Sequence, residues 1–379
     1  MTEIVQRKLS HLDLCAHEDV ESTRSTLLEE VELFHESLPE LSLEEIDPSI
    51  ELFGRRLRSP IIISGMTGGA DRALEINRAL ASAAQKLGFA MGLGSQRPML
   101  EEPSLTETYS VRDVAPDVLL LANIGSVQAR GRSTSEIGDL ALAVGADALC
   151  IHLNPAQELA QDEGDRDFRG CHETIGQLAK GLSIPVIAKE TGCGLSPKTL
   201  LRLREAGVAA VDVAGVGGTT WPGVESLRGS PRQRALGLVL REWGIPTAAS
   251  LVYAQRAGIP AIASGGLRTA QDLLRALALG ASAGGLALPF LRAFEQGGEA
   301  GVLEFGTTLD ETLRAMMLLV GARTIADLAA LPIVLGPRLE TWVNGTLGVG
   351  ELKPSLSTAF RRPARGELHA RAHGHEVAV

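Results

Sequence analysis

The stretch ALCIHLNPAQE, residues 148–158, begins as a continuous apolar run and ends with a histidine, two amides and a carboxylate. A short apolar run of this length is consistent with a strand buried on both faces of a parallel sheet. Ligand sites in such sheets lie at the carboxyl ends of the strands. The stretch therefore predicts a buried strand whose end contributes polar side chains to a site.

Seven further apolar runs end in glycine or in polar residues. They lie at residues 61–66, 90–95, 118–124, 185–190, 210–215, 261–266 and 284–289. Helical patterns stand between several of the runs, at residues 72–88, 135–146, 196–207 and 269–281. Each pattern mixes apolar residues at helical spacing with a charged face. Apolar strands that alternate with helices predict a parallel sheet covered on both faces.

Eight strand–helix units within about 230 residues favour an α/β fold, the (β/α)₈ or TIM barrel, whose usual size is roughly 250 residues. A doubly wound sheet is the alternative, but it does not predict polar residues at the ends of all eight strands. We expect an extension at residues 1–55, a barrel at 56–350 that closes with a helix near 308–322, and a polar, disordered tail at 351–379. The tail histidines, His369, His373 and His375, lack a scaffold that would make them a metal site.

The N-terminal extension carries an unusual charge pattern. Residues 17–34, HEDVESTRSTLLEEVELF, predict an acidic amphipathic helix that follows the basic residues Arg7, Lys8 and His11. On charge alone, the extension is equally a solvated arm or a part of the site.

The composition argues against several classes of protein. With 36 lysines and arginines against 46 aspartates and glutamates, the 379-residue chain carries a formal net charge of −10, unlike a nucleic-acid-binding surface. No apolar run reaches the ~18 residues of a spanning helix, and the first residues lack the apolar core of a signal peptide. We therefore expect a cytoplasmic protein, with no nucleic acid or membrane as partner, that acts on a small molecule. The cysteines at positions 15, 150, 171 and 193 lack CxxC spacing and predict reduced thiols.

Barrel active sites are built where the strands end, and a phosphate is often held by the loops after strands 7 and 8. In this chain the glycine-rich turn at residues 264–268 follows the seventh strand, so its backbone N–H groups could face a phosphate. The loop DVAGVGGTTWPG, residues 212–223, is either a lid or cofactor wrap or a flexible surface loop. Lys189 ends an apolar strand, and a buried lysine needs a negative partner, which an anionic cofactor would supply. A lysine that forms a Schiff base is the alternative, since aldolase barrels also place lysine at a strand end.

Charged residues near the strand ends indicate the chemistry of a ligand. Arg97, with Arg7 and Lys8, offers three cations to a doubly charged head group, although a surface salt bridge is the alternative for each. Glu158 is suited to a Mg²⁺ that also takes waters and substrate phosphate as ligands. His152 is either a general acid/base or a neutral group that orients the substrate.

Taken together, these residues resemble the type 2, flavin-dependent isopentenyl diphosphate isomerases. The resemblance runs from Arg7 to about Gly321 and covers most of the chain. It rests on RKLSHL (7–12), MTGG (66–69), GSQR (94–97), ANIG (122–125), HLNPAQE (152–158), KETGCG (189–194), DVAGVGGTTW (212–221) and SGGLR (264–268). Eight motifs in the same order, each at the barrel end where chemistry is expected, make the resemblance specific.

The resemblance implies that the barrel binds FMN and a diphosphate. The positions matching FMN-binding residues are Ser64, Met66, Thr67, Gly68, Ser95, Asn123, Lys189, Thr219, Gly265, Gly266, Leu267, Arg268, Ala287 and Leu288. The positions matching substrate-binding residues are Arg7, Lys8, Ser95, Gln96, Arg97, His152, Asn154 and Gln157. Glu158 matches the Mg²⁺ ligand, and Gln157, His152 and Lys189 are the candidate catalytic residues.

The implied reaction is the 1,3-allylic isomerisation of isopentenyl diphosphate to dimethylallyl diphosphate in isoprenoid biosynthesis. Ordinary side chains protonate a simple alkene poorly, and in the family reduced FMN, kept reduced by NADPH or NADH, serves as acid and base while the protein supplies orientation and electrostatics. Only the resemblance makes Gln157 a candidate for the second proton transfer. A homotetramer or homo-octamer is likewise implied by resemblance alone.

Two residues depart from the family pattern, and three other functions compete. Thr191 stands where valine is more frequent, and Leu288 where glycine is frequent. A flavin-dependent 2-hydroxy-acid oxidase requires a histidine followed by arginine near the seventh strand, where this chain reads SGGLRTAQD. An enzyme like IMP dehydrogenase requires a nucleophilic cysteine, and Cys193 lacks the matching context. A flavin-binding module without catalysis would not require Glu158 and the Arg7-Lys8 pair.

Overall fold

The computed structural model of the chain describes residues 3–345. The predicted tail at residues 351–379, with His369, His373 and His375, lies outside the described residues, as do residues 346–350 of the predicted barrel domain.

Strands are numbered in chain order. They are β1 Val31–Leu33, β2 Ile50–Leu52, β3 Arg55–Leu57, β4 Ile61–Ile63, β5 Ala90–Gly92, β6 Leu120–Gly125, β7 Ala148–Leu153, β8 Val186–Glu190, β9 Ala210–Asp212, β10 Ala261–Ala263, β11 Ala283–Leu286 and β12 Ile333–Leu335. Strands β4 to β11 pair in parallel and in sequence, and β11 pairs with β4, which closes an eight-stranded barrel. The TIM barrel prediction is therefore confirmed, with a strand in each of the eight predicted runs.

Helices alternate with the barrel strands and form the outer layer. They are α1 Glu3–His17, α2 Asp71–Leu87, α3 Arg97–Glu101, α4 Ser126–Ala129, α5 Thr134–Ala143, α6 Pro155–Ala160, α7 Cys171–Gly181, α8 Pro197–Ala206, α9 Trp221–Arg228, α10 Pro231–Leu240, α11 Thr247–Ala257, α12 Ala270–Ala278, α13 Leu288–Leu319, α14 Ile325–Ala330 and α15 Pro337–Asn344. Single 3₁₀ segments occupy Leu28–Glu30, Leu43–Glu45 and Pro103–Tyr109. The four helices predicted between strands are confirmed as α2, α5, α8 and α12.

Local sequence explains where several of these helices start and stop. Helix α8 begins after Ser196, whose side chain accepts a hydrogen bond from the Thr199 N–H, and it ends at Gly207 in the left-handed region at a φ of 84°. Helix α12 begins with a capping box formed by Thr269 and Asp272. Helix α13 contains non-helical backbone at Gly297 and Gly298, so the predicted closing helix at residues 308–322 corresponds to its second part.

Branched and small apolar side chains fill the barrel interior, and a hairpin closes its amino-terminal end. Strands β2 and β3 are joined by Phe53 and Gly54, which both have positive φ as a two-residue type I′ turn requires. Leu52 and Leu57 pack on the interior residues of the barrel strands, such as Leu121. The closed end forces any ligand to enter from the carboxyl ends of the strands.

The helix predicted at residues 17–34 is wrong. Helix α1 ends at His17, where the predicted helix would begin, and Val31 pairs antiparallel with Leu335 of β12. Leu28 and Val31 are fully buried next to α12. Strand pairing and burial against the barrel thus override the helical periodicity of this segment, because tertiary contacts outweigh intrinsic propensity.

Residues 18–24, here called the strap, cross the mouth of the barrel. The Ser22 N–H donates to the Gly218 carbonyl at 2.8 Å, and the Thr220 N–H donates to the Val20 carbonyl at 2.9 Å. The Val20 side chain is fully buried. The extension is therefore not a solvated arm, because α1 and the strap pack on the loop after β9.

Within residues 3–345, no helix is both long enough and apolar enough to cross a membrane.

Truncating a core residue of the β2–β3 hairpin, which closes the amino-terminal end of the barrel, should destabilise the protein. Leu57 is 2% exposed, so we expect Leu57→Ala to lower the free energy of unfolding by about 2–5 kcal/mol through lost burial and a residual cavity. Urea denaturation followed by circular dichroism measures the change. Leu38→Ala, at a leucine that is 77% exposed, is the matched control and should change stability by less than about 0.5 kcal/mol. Equal free energies of unfolding of the two variants would contradict the packing of this hairpin on the barrel interior.

Candidate active site

A deep cavity opens at the carboxyl ends of the barrel strands, and α1 forms part of its wall. Most of the residues singled out from the sequence line it. They are Arg7, Lys8, Ser64, Met66, Thr67, Ser95, Arg97, Asn123, His152, Asn154, Gln157, Glu158, Lys189, Thr219, Gly265, Gly266, Arg268, Ala287 and Leu288. The fold therefore gathers strand ends that are far apart in sequence into one wall.

Three of the predicted residues, Gln96, Gly68 and Leu267, do not line the cavity. Gln96 is fully buried, where its side-chain oxygen accepts a hydrogen bond from the Asn123 N–H at 2.9 Å. A Cβ on Gly68 would lie 1.9 Å from the Tyr109 ring, so only glycine fits there. Leu267 is 1% exposed within the core. Direct ligand contact by these three residues stays a prediction.

Lys189 has a negative partner from the protein itself. Its Nζ donates to Asp212 Oδ2 at 2.5 Å and to Ser264 Oγ at 3.2 Å. Both partners are buried, at the ends of β9 and β10. Asp212 therefore compensates the Lys189 charge before any ligand binds. The burial of Lys189 by itself does not require an anionic cofactor.

His152 is held as a neutral side chain. Its Nδ1 lies 2.8 Å from Asn123 Oδ1, so the ring N–H donates to the amide oxygen and Nε2 keeps its lone pair. Burial, together with the charges of Lys189 and Lys8, lowers the pKa of His152 to about 4. At neutral pH the ring can accept a hydrogen bond or orient a ligand, whereas it carries no proton to give as imidazolium.

The HLNPAQE segment orders its own carboxylate. Asn154 Nδ2 donates to Glu158 Oε1 at 3.1 Å and to Gln157 Oε1 at 3.2 Å. The Asp165 N–H donates to Glu158 Oε2 at 2.8 Å. Glu158 is only 5% exposed yet lines the cavity, so its carboxylate is fixed at the wall by uncharged hydrogen-bond donors.

The cationic side of the cavity comes from α1 and α3. Lys8 Nζ donates to the Ser95 carbonyl at 2.6 Å and contacts Tyr109 Oη at 2.8 Å. Burial, with the neighbouring Arg7 charge, lowers the pKa of Lys8 to about 7. Arg7 and Arg97 are each 3.3 Å or less from a partly exposed glutamate, Glu163 and Glu101 respectively. These weak surface pairs leave both guanidinium groups available to a stronger anion.

Sequence reasoning missed a buried carboxylate opposite the HLNPAQE segment. Glu225 on α9 is fully buried, with Oε2 at 2.7 Å from Arg228 Nη1 and Oε1 at 2.9 Å from His11 Nε2. Burial acts to raise the pKa of Glu225, but His11 and Arg228 hold it below its ordinary value. Gln157 Nε2 lies 3.4 Å from the same Oε1. Glu225 lies on the first turns of α9 at the mouth of the barrel, and this position was the signal that could have identified it.

Two turns at the rim offer backbone donors to a phosphate. Within residues 3–345, the N–H groups of Gly266 and Ala287 donate no hydrogen bond, and both residues line the cavity. The Thr67 hydroxyl is buried there and has no partner among the described residues. Leu288 opens α13 and is 4% exposed. An uncommitted hydroxyl and two uncommitted N–H groups are what an anionic, hydrogen-bonding ligand would satisfy.

Arg268, in contrast, is already paired with the strap. Its Nε and Nη2 donate to Glu21 Oε1 at 2.8 Å and 2.5 Å. Arg292 approaches the other oxygen of Glu21 at 3.3 Å. Any phosphate contact of Arg268 therefore competes with the ion pair that holds the strap.

The loop at residues 212–223 is enclosed by the protein. Val213 and Val216 are buried, and Thr219 forms a bridge to Glu21 of the strap, so the reading as a flexible surface loop is wrong. Beside it, Glu190 accepts three backbone N–H groups, from Thr191, Gly192 and Cys193. Burial raises the pKa of the Cys193 thiol, and Glu190 adds to the effect. Cys193 is therefore a poor nucleophile, which counts against the IMP-dehydrogenase-like alternative.

Among residues 3–345, no group of three or more histidine, cysteine, aspartate or glutamate side chains is arranged to hold a metal ion. Glu158 would thus need ligands from outside the protein.

The chain matches known proteins along most of its length. A family model described as FMN-dependent dehydrogenase matches residues 138–334. Relatives named isopentenyl-diphosphate delta-isomerase include that of Synechococcus sp., 48% identical over 89% of this chain and 97% of its own length. Those of Halobacterium salinarum and Methanothermobacter thermautotrophicus are 45% and 44% identical, each over 90% of this chain and over 97% and 96% of their own.

Solved structures give the same barrel. Mandelate oxidase with (S)-2-phenylpropionate superimposes with a TM-score of 0.61 at 19% identity, over 86% of this chain and 94% of that one. At this identity the likeness shows the fold alone.

The burial of Lys8 predicts a dependence of stability on pH. Because its folded pKa of about 7 lies below the value of 10.5 for a free lysine, the unfolded chain binds one more proton between these values. The free energy of unfolding should therefore rise with pH from about 7 towards 10, by less than the single-proton limit of about 1.4 kcal/mol per pH unit. Urea denaturation at several pH values should show this rise reduced in Lys8→Met.

Lys180→Met, at an exposed lysine on α7, is the control and should keep the wild-type slope. A slope in Lys8→Met equal to that of the wild type would mean that Lys8 stays protonated in the folded protein.

Proposed function

The chain belongs to the type 2, FMN-dependent isopentenyl-diphosphate delta-isomerase family, and from this premise we propose that it converts isopentenyl diphosphate to dimethylallyl diphosphate with reduced FMN and Mg²⁺. One observation carries the proposal. A single cavity is lined by Gly266 and Ala287, by Thr67, and by the cations Arg7, Lys8 and Arg97. Two different phosphate-bearing ligands can therefore meet inside it.

The residues present fit FMN. The N–H groups of Gly266 and Ala287 would receive the flavin phosphate, and the buried Thr67 hydroxyl would gain the partner that it lacks. Further residues proposed to bind FMN are Ser64, Met66, Gly68, Ser95, Asn123, Lys189, Thr219, Gly265, Leu267, Arg268 and Leu288. Glycine at position 285 keeps the floor open, because a Cβ there would lie 2.5 Å from Ser64 Oγ.

When bound and reduced, FMN would supply the acid and base that move the proton of a weakly basic alkene. The protein supplies charge and orientation around it. Lys189, fixed by Asp212, places an ammonium at the floor, and positive charge there favours an anionic ligand. The protein wall around the bound ligands would also shield a cationic transition state from water.

The cations of α1 and α3 would bind the diphosphate. Arg7 and Arg97 can exchange their exposed glutamate partners for phosphate oxygens, which they bind bidentately. Lys8, which gives up its proton near pH 7 in the empty site, would regain it beside a diphosphate, because an opposite charge favours the charged form. Substrate binding above neutral pH would therefore take up a proton.

Glu158 fits one Mg²⁺ that is completed by the substrate. Mg²⁺ in nucleotide and phosphate sites keeps several waters and takes one or two carboxylates plus phosphate oxygens. A lone carboxylate held by Asn154 and the Asp165 N–H offers that donor set only when a diphosphate is present. The metal would then neutralise the part of the diphosphate charge that Arg7, Lys8 and Arg97 do not compensate.

His152, Asn154 and Gln157 would orient the substrate. The neutral His152 keeps Nε2 free to accept a hydrogen bond, and Asn154 would reach the diphosphate from the same segment. Gln157 is the proposed site of the second proton transfer, and its Nε2 lies 3.4 Å from Oε1 of Glu225. NADPH or NADH as reductant, a cytoplasmic location, and a homotetramer or homo-octamer stay predictions.

Proton NMR of isopentenyl diphosphate tests the function. The purified protein is incubated anaerobically with FMN, Mg²⁺ and NADPH, and the same mixture without reductant is the control. We expect dimethylallyl signals only with the reductant. A protein that binds FMN stoichiometrically but forms no product would contradict the isomerase and favour a flavin oxidase or a binding module.

Replacing the proposed metal ligand should separate metal from flavin. Glu158→Gln keeps the size of the side chain but removes the charge, so we expect Mg²⁺-dependent turnover to fall by roughly 100-fold or more while FMN binding is retained. Glu173→Gln, at an exposed glutamate on α7, is the control and should behave as the wild type. Unchanged turnover of Glu158→Gln across a Mg²⁺ titration would remove Glu158 from the metal site.

A further inference from the structure

Three neighbouring strands end in a closed polar network beneath the cavity. Lys189 of β8 is the direct register partner of Asp212 of β9, and Ser264 follows β10, which pairs with β9. In-register residues on neighbouring strands point to the same side of the sheet. The barrel register therefore forces a cation, an anion and a hydroxyl into contact.

Both carboxylate oxygens of Asp212 accept hydrogen bonds within this network. Asp212 Oδ2 accepts from Lys189 Nζ at 2.5 Å, and Oδ1 accepts from Ser264 Oγ at 2.5 Å. The same hydroxyl oxygen accepts from Lys189 Nζ at 3.2 Å. The three groups thus form a triangle in which each fixes the position of the other two.

The three residues of the triangle lie at two different depths relative to the cavity. Lys189 and Ser264 line the large cavity, whereas Asp212 lies below it and bounds a small void together with Cys150 and Asn123. The exposed fractions of the side chains are 13% for Lys189 and 7% for Asp212. Asp212 is therefore linked to a ligand in the cavity through Lys189 and Ser264, which both line it.

A buried lysine without such a partner would behave differently. Its desolvated ammonium is costly, and a flexible four-carbon side chain has several rotamers. Removing one partner of a buried ion pair leaves an uncompensated charge that the other partner relieves by changing its protonation. The charge at the cavity floor therefore depends on a residue that never touches the ligand.

We propose that Asp212 is a positioning residue that fixes the Lys189 ammonium at the cavity floor and keeps it protonated, with Ser264 locking the carboxylate. This inference rests on the proposed function only in one respect, because a bound flavin is what the ammonium would face. The positioning itself is a property of the protein without its cofactor.

Chemical labelling of Lys189 tests the positioning without any flavin. The full-length apo-protein is treated with acetic anhydride at pH 7.5, and the rate at Lys189 is measured by mass spectrometry in the wild type, Asp212→Asn and Ser264→Ala. Only the unprotonated amine reacts. Because an adjacent opposite charge shifts a protonation equilibrium by about 1–3 pH units, we expect labelling to rise at least about tenfold in Asp212→Asn. Ser264→Ala should show a smaller rise, of about threefold or more.

Asp147→Asn is the matched control, because Asp147 pairs with Arg55 and Arg112 at the opposite end of the barrel. Its labelling rate at Lys189 should equal that of the wild type. A rate in Asp212→Asn within twofold of the wild type would overturn the proposal. If Asp212→Asn does not fold, Ser264→Ala decides, and a wild-type rate in that variant would overturn the proposal as well.

The reduction potential of bound FMN provides the second readout. In Asp212→Asn the lysine gains and loses its proton within the working range, so the potential should fall more steeply between pH 6 and pH 8.5 than in the wild type or Asp147→Asn. An identical pH dependence in all three proteins would contradict the link to the flavin. If the wild type bound no flavin, the proposed function would fail, whereas the labelling result would still decide the role of Asp212.

Discussion

Closure of the barrel between β4 and β11 is the constraint on which the site depends. Ile61–Ile63 pairs in parallel with Gly284–Leu286, so the first and last strands of the barrel become neighbours. This pairing brings the turn after Ser64 beside the turn at Ala287, and the Ser64 N–H donates to the Leu286 carbonyl at 2.9 Å. Glycine in β11 makes the close approach possible, since a Cβ on Gly285 would lie 2.5 Å from Oγ of Ser64, which follows β4. Without closure, the same residues would lie on two separate edges.

Charge in the cavity is distributed by burial as much as by composition. The floor holds Lys189 in a tight buried pair, whereas Arg7 and Arg97 at the entrance have only partly exposed partners. Lys8 and His152 are kept close to neutral by desolvation, with pKa values of about 7 and about 4. The empty site therefore avoids a large excess of positive charge, and a diphosphate with Mg²⁺ would restore charge where it is needed.

Strand-level features could be predicted from the sequence because period and polarity are local. The eight apolar runs and the polar residues at their ends, such as His152 and Lys189, follow from such patterns. Partners set by register or by packing could not be predicted, because they depend on distances between distant segments. Asp212 as the partner of Lys189, Glu225 opposite Gln157, and the strap in place of a helix at residues 17–34 all belong to this class. Gln96 shows the same limit, because the hydrogen bond that it accepts from the Asn123 N–H depends on packing between two strand ends.

The most direct test of the account is a crystal structure of the protein with FMN, Mg²⁺ and isopentenyl diphosphate in one cavity. The account predicts the flavin phosphate at the turns of Gly266 and Ala287, the ring beside Lys189, and the diphosphate between Glu158-bound Mg²⁺ and the cations Arg7, Lys8 and Arg97. A diphosphate bound outside this cavity, or a flavin ring away from Lys189, would contradict it.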